Sequence, residues 1–276
     1  MKELVSVEWL KEYINNKDLI LLDTSLAKTV DENNLADKNL TIPLARFFNL
    51  KADFSDSNSP LPNTFPSKEK FEQSCQKLGI SQSSKIVVFD NHGIYSSPRV
   101  WWMFKVMGHH NVAVLEGGLP AWIKKGFPIE KRIERVYKLG DFKALFNENY
   151  IINYKQVKRN IENQTFTIID ARSTGRFNGT EEEPRKELKS GHIKDSINIP
   201  YKDVLIDGKY KSKEELKRLF ESVCNIEEKL VFSCGSGLTA CIVLLACEIA
   251  FKKSKYVYDG SWTEWAKINN LTNRLQ

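Results

Sequence analysis

The stretch KLVFSCGSGLTACIVLLACEIA (229–250) carries the combination of residue types most suited to chemistry. An apolar run ends at Cys234, a tight loop of Gly235, Ser236, Gly237, Leu238 and Thr239 follows, and an apolar helical run begins at once. Two glycines let a backbone fold back so that successive amide hydrogens face inward, and the helix start adds its positive end. Such a cradle suits a negative sulfur and is expected to lower the cysteine pKa below the free value of about 8.5, which makes Cys234 a candidate nucleophile. Ser236 adds a hydroxyl that can orient a substrate oxygen or relay a proton. Outside such a loop, a cysteine reads as a small buried hydrophobe. Cys75, Cys224, Cys241 and Cys247, all in helical patterns, are read that way. His109 and His110 close a helical pattern beside Gly108 with no thiol or carboxylate at ligand spacing, so no metal site is expected.

The elements that must position Cys234 occur twice. KIVVFD (85–90), a polar loop, a helical pattern and NVAVLEGG (111–118) are echoed by KLVFSC (229–234), a loop, an apolar helical pattern and KYVYDG (255–260). Upstream, LILLDTS (19–25) is echoed by TIIDARS (167–173). The copies are offset by roughly 145 positions, which places Asp90 against Cys234 and Asp23 against Asp170. A carboxylate cannot take the part of a thiol, so the first copy is read as non-catalytic. Strands that are short, Val- and Ile-rich and apolar on both faces, separated by helices, predict an α/β fold: two tandem domains, each a parallel sheet flanked by helices. Capping boxes are expected at Ser212/Glu215 and Ser261/Glu264, and Pro98 suits a first helical turn. The boundaries follow as a non-catalytic domain at 1–126, a charged linker at 127–149 and a catalytic domain at 150–276.

The 276 residues, 41% hydrophobic and 28% charged, are enough for two packed cores and exclude disordered, collagen-like or coiled-coil classes. The longest apolar stretch, 240–247, is far short of the roughly 18 residues of a membrane span. The N-terminus alternates charged and apolar residues, unlike a secretory signal, and five cysteines without paired spacing fit a reducing compartment. A cytoplasmic location is expected, with no membrane and no nucleic acid as partner. The net charge of +6 is interleaved with acidic residues and suits small anions better.

CGSGLTA resembles the active-site loop of sulfurtransferases built from two rhodanese domains, and its Gly-Ser pair is similar to the 3-mercaptopyruvate sulfurtransferases. The resemblance extends through PRVWWMFKVMGHH (98–110), LEGGLPAW (115–122), DARSTGRFNGTEEEPR (170–185), SGHIKDSINIP (190–200) and YDGSWTEW (258–265). It implies that Cys234 takes a sulfur atom from 3-mercaptopyruvate, carries it as a persulfide and hands it to a thiol or cyanide, releasing pyruvate. Gly235, Gly237, Leu238 and Thr239 would cradle the persulfide, and Ser236 would assist. Arg176 and Arg185 would bind the donor carboxylate, which a guanidinium fork matches. No metal or organic cofactor is implied. Partners would be a small-molecule sulfur donor and a thiol acceptor such as thioredoxin or a small thiol. His192 matches a structural histidine. Thr41, in TIPLA, stands where the family often has a histidine from which a Ser-His-Asp relay is drawn, so a relay through that position is not expected.

Thiosulfate sulfurtransferase activity is the nearest alternative, although that donor, a dianion, favours basic residues where this loop has Gly235 and Ser236. A phosphatase of the same fold would need a longer loop ending in arginine six positions after the cysteine, where Ala240 stands. A non-enzymatic sulfur-carrier or regulatory module is the third reading, tested by whether Cys234→Ala keeps the role.

Overall fold

Runs of Leu, Ile, Val and Phe without polar alternation can be satisfied only in a sheet covered on both faces, and each half of the chain builds one. The computed structural model describes residues 1–26, 39–252 and 256–273. In their described parts the residues divide into two compact units. The first comprises Met1–Ser57, Phe65–Asn147 and Asp207–Lys209, the second Asn58–Thr64, Glu148–Ile206 and Tyr210–Gln276.

The sheet of the first unit runs from Leu4–Val5 at one edge through Val112–Leu115, Lys85–Phe89 and Leu19–Asp23 to Arg46–Phe47 at the other, all parallel. That of the second runs from Ile151–Ile152 through Tyr256–Tyr258, Leu230–Ser233 and Thr167–Asp170 to Ile197–Asn198, again all parallel. The two orders are the same, so the echoes in the sequence are two copies of one fold. Of the segment 255–260, Lys255 lies outside the described residues.

Helices flank both sheets, and the best buried are those that follow the central strands. Ser97–Val106 buries nearly every side chain, with Pro98 in its first turn, and Ala240–Phe251 is apolar but for Glu248, itself buried. The expected capping box at Ser212 and Glu215 opens the helix Lys213–Glu221. In the charged segment after Gly126, Glu130–Lys131 pairs antiparallel with Leu40–Thr41, and Phe142 is buried against Phe71 and Phe104. Among the described residues no helix is long and apolar enough to cross a membrane.

Candidate active site

The central strand Leu230–Ser233 pairs with Thr167–Asp170 in the register Ser233 to Asp170. Cys234 therefore leaves the sheet at its carboxyl end, where parallel α/β sheets place ligands. The residue is 2% exposed, while Gly235, Ser236 and Thr239 beside it are half-buried. Leu238 is buried, and Thr239 precedes the helix Ala240–Phe251 without a side-chain cap bond.

The loop is tied to the start of the helix Ser261–Ile268. Trp262 N donates to Cys234 O at 2.9 Å, and Thr263 donates to Gly235 O through its amide at 3.1 Å and its hydroxyl at 2.6 Å. Ser261 was expected to cap this helix with Glu264, but it is the first helical residue, at a left-handed φ of +50°, and Gly260 precedes it without a side-chain cap. Its hydroxyl accepts from Cys234 N at 3.2 Å and Gly237 N at 3.1 Å and donates to Tyr258 O at 2.8 Å. The expectation that the Gly237 amide faces the sulfur is corrected by the same contact, because a buried hydroxyl oxygen has two lone pairs and fills both from the loop. Gly237 supplies instead a turn at φ +75° that a side chain would strain.

Ser236 receives hydrogen bonds from Asn63 Nδ2, at 3.1 Å to Oγ and 3.4 Å to its carbonyl oxygen. Thr41, through which no relay was expected, donates to Asp23 Oδ2 at 2.8 Å in the first unit.

Arg176 lies against the loop: a Cβ built on Gly235 would come within 2.9 Å of its Nη2. The same nitrogen donates to Glu183 Oε2 at 2.6 Å, and Glu183 Oε1 accepts from Arg172 Nη1 at 2.7 Å. Arg172 is fully buried, forks onto Asp170, donates to Gly191 O and lies over the Trp262 ring at 4.4 Å. The result is a buried chain of alternating charge from the strand to the loop: Asp170, Arg172, Glu183, Arg176. The Nε of Arg176 is buried and has no partner. Arg185 is half-buried two residues after Glu183, and its guanidinium makes no hydrogen bond or ion pair among the described residues.

Sequence reasoning missed Ser261, Asn63, Arg172 and Glu183. Glu183 sits in an acidic run that reads as a solvated loop, yet it is 3% exposed. Arg172 carried a signal, being two residues from Asp170 in a motif between buried positions; Asn63, in a Pro- and Ser-rich stretch, carried none. His192 anchors its loop, with Nδ1 at 2.9 Å from Phe177 O and its ring stacked on Phe177.

The other thiols have different surroundings. Cys75 lies in the helix Lys68–Lys77, where burial pushes its thiol up. Cys224, expected in a helix, lies just past the end of Lys213–Glu221 and is also raised by burial. Cys241 donates its S–H to Gly237 O at 3.4 Å, and Cys247 is buried on the same helix. Among the described residues no three His, Cys, Asp or Glu side chains come together as a metal site. His109 packs on Phe104 and Phe142, with Nε2 at 3.0 Å from Ser84 O, and burial lowers its pKa.

The sequence matches the family described as "Rhodanese-like domain" twice, over residues 6–125 and 153–268. The chain belongs to the rhodanese family. It is 38% identical to the human 3-mercaptopyruvate sulfurtransferase over 96% of this chain and 92% of that one. The rat thiosulfate sulfurtransferase is 36% identical over the same shares. The crystal structure of the Escherichia coli 3-mercaptopyruvate sulfotransferase SseA superposes with a TM-score of 0.84 at 32% identity, covering 95% of this chain and 99% of that one. Family membership accounts for both parallel sheets, and these full-length relatives are enzymes that transfer sulfur.

Proposed function

We propose that the protein is a 3-mercaptopyruvate sulfurtransferase in which Cys234 is the nucleophile and the first unit is non-catalytic. The observation that carries this reading is the guanidinium of Arg176 packed against Gly235, at a place a Cβ would fill. Glycine directly after the nucleophile leaves a cation one residue from the sulfur, where the carboxylate of an α-keto thiol can reach it. Within the buried chain the charges of Arg172 and Arg176 cancel those of Asp170 and Glu183. Arg185 then supplies the net positive charge that an anionic donor needs.

In the first half-reaction the Cys234 thiolate attacks the donor sulfur. The C–S bond breaks, its electron pair passes to the methylene carbon, and pyruvate leaves as its enolate, which takes up the proton of the donor thiol. Cys234 is left as a persulfide. The ketone makes the carbon leaving group tolerable, and the Ser236 hydroxyl donates to its oxygen as charge develops. In the second half-reaction an acceptor thiolate, from thioredoxin or a small thiol, or cyanide, attacks the outer sulfur and Cys234 leaves as thiolate, giving ping-pong kinetics. The inward amides of Gly235, Leu238 and Thr239 and the helix start serve the sulfur in both halves. The protein's free cysteines suit a reducing compartment, and we place it in the cytoplasm.

Thiosulfate is the second donor to consider, because a relative of that name is almost as similar. Comparing kcat/KM for 3-mercaptopyruvate and thiosulfate tests the reading: a preference for 3-mercaptopyruvate of about tenfold or more is expected, and a strong preference for thiosulfate overturns it.

A further inference from the structure

The hydroxyl of Ser236 could act on a donor ketone in two opposite ways. As a donor it would stabilise the developing enolate; with its proton turned away to a base it would offer only a lone pair. The residue touching it decides which. Asn63 faces Ser236 with one side-chain group, placed 3.1 Å from the hydroxyl oxygen and 3.4 Å from the backbone carbonyl oxygen of the same residue. A carbonyl oxygen only accepts, so the group presented to Ser236 must be the NH2 and not the amide oxygen. The hydroxyl oxygen therefore receives a hydrogen bond, and its own proton has no acceptor among the described residues. Asn63 holds this position at φ +57°, a left-handed conformation that asparagine tolerates better than other residues with a side chain. The segment that carries it, Asn58–Thr64, belongs to the unit of Cys234.

We infer that Asn63 is a positioning residue that fixes the polarity of Ser236, holding its hydroxyl as a hydrogen-bond donor toward the ketone oxygen of the sulfur donor. The inference rests on the proposed donor, since thiosulfate has no ketone to receive that proton. An amide neither gains nor loses a proton in the working pH range, so this donor needs no relay to a base. The polarity of Ser236 is then independent of pH.

Asn63→Gly is the variant of choice, because glycine adopts the positive φ freely and only the side chain is lost. With 3-mercaptopyruvate its kcat should fall about tenfold with KM within about twofold, and with thiosulfate its turnover should stay within about twofold of wild type. In a Ser236→Ala background the same change should have no further effect. Asn63→Asp reverses the bond: an ionised carboxylate draws the hydroxyl proton to itself, so activity with 3-mercaptopyruvate should fall steeply above pH 5 and recover partly below it, where the protonated carboxyl donates again. Losses that multiply in the double variant, an equal loss with both donors, or an Asn63→Asp defect that ignores pH would each overturn the inference. A wild type that uses thiosulfate alone would sink the proposed donor instead. The contact would then be read by the side-chain amide resonances of Asn63, which must shift on Ser236→Ala if the NH2 donates to that hydroxyl; unmoved resonances overturn the inference whichever donor is used.

Discussion

The loops after the two central strands are built alike and filled differently. In the first unit Asp90 stands where the second has Cys234, and its carboxylate occupies its own loop. Oδ2 accepts from the amides of Tyr95, Ser96 and Ser97 and from the Ser97 hydroxyl, and Oδ1 accepts from His92 N. The start of the helix that follows the next strand closes both loops in the same way: Leu119 N donates to Asp90 O at 3.0 Å, Trp262 N to Cys234 O at 2.9 Å. The residue before that amide is left-handed in both copies, Gly118 at φ +51° and Ser261 at φ +50°. Only the second unit places a side chain at this strained position, and that side chain organises the sulfur loop. One unit fills its loop with its own carboxyl group; under the proposed function the other keeps its loop for the sulfur that Cys234 takes up and passes on.

The sharpest way to break this contrast is at the sulfur itself. Cys234→Ser should lower turnover by about a thousandfold or more. Mass analysis of the wild type after donor treatment should find one extra sulfur on the peptide containing Cys234, and an adduct on Cys241 instead would end the site assignment. At the equivalent position of the first unit the loss should appear in stability. Asp90→Ala strands four backbone donors and a hydroxyl, a cost of about 3 kcal/mol or more, whereas Cys234→Ala should cost about 1 kcal/mol; denaturant melts of both variants compare them directly.

Ser261 offers a finer test. Ser261→Ala keeps the left-handed strain and orphans two loop amides, and should cost about 2 kcal/mol. Ser261→Gly, which copies Gly118, should be the more stable of the two while still losing activity about tenfold, because the amides of Cys234 and Gly237 lose their common acceptor. Equal stability of the two variants would argue against the strain. For the charge chain, Glu183→Gln should raise KM for 3-mercaptopyruvate several-fold by loosening Arg176, with a smaller change in kcat.

The smallest effect belongs to the first unit alone. Burial holds the His109 pKa below its unfolded value, so the unfolded chain binds a proton that the folded imidazole refuses. Stability should be fully present above about pH 6.5 and decline as the pH falls toward the folded pKa, lowering Tm by a few degrees. His109→Gln should flatten that part of the profile; an unchanged slope would assign it to other groups.

Much of this was legible in the chain. Apolar runs at two repeated offsets dictate two parallel sheets, since nothing else buries strands that are apolar on both faces. The Cys-Gly-Ser-Gly run after such a strand marks the loop, because a short strand-to-helix turn at a sheet's carboxyl end needs glycine and exposes amides. The supporting residues were not legible, and the reason differs in each case. Ser261 and Glu264 satisfy the spacing rule of a capping box, but the pull of two buried loop amides outweighs the cap. Glu183 looks solvated beside Glu181 and Glu182, yet two arginines draw it inside. Asn63 lies 171 positions before Cys234 and meets Ser236 only because its segment packs with the second unit.

The linear order of residues by itself determined the duplicated α/β architecture, the single copy with a thiol at the loop, and the glycines that let the loop turn, because periodicity and backbone freedom are local properties. The tertiary structure alone decided which hydroxyl receives and which donates, which carboxylate is buried between arginines, and which of the two equivalent turns, Gly118 or Ser261, holds a side chain at a left-handed φ. Those depend on atoms far apart in sequence competing for the same few hydrogen-bonding partners, and only the packed chain settles that competition.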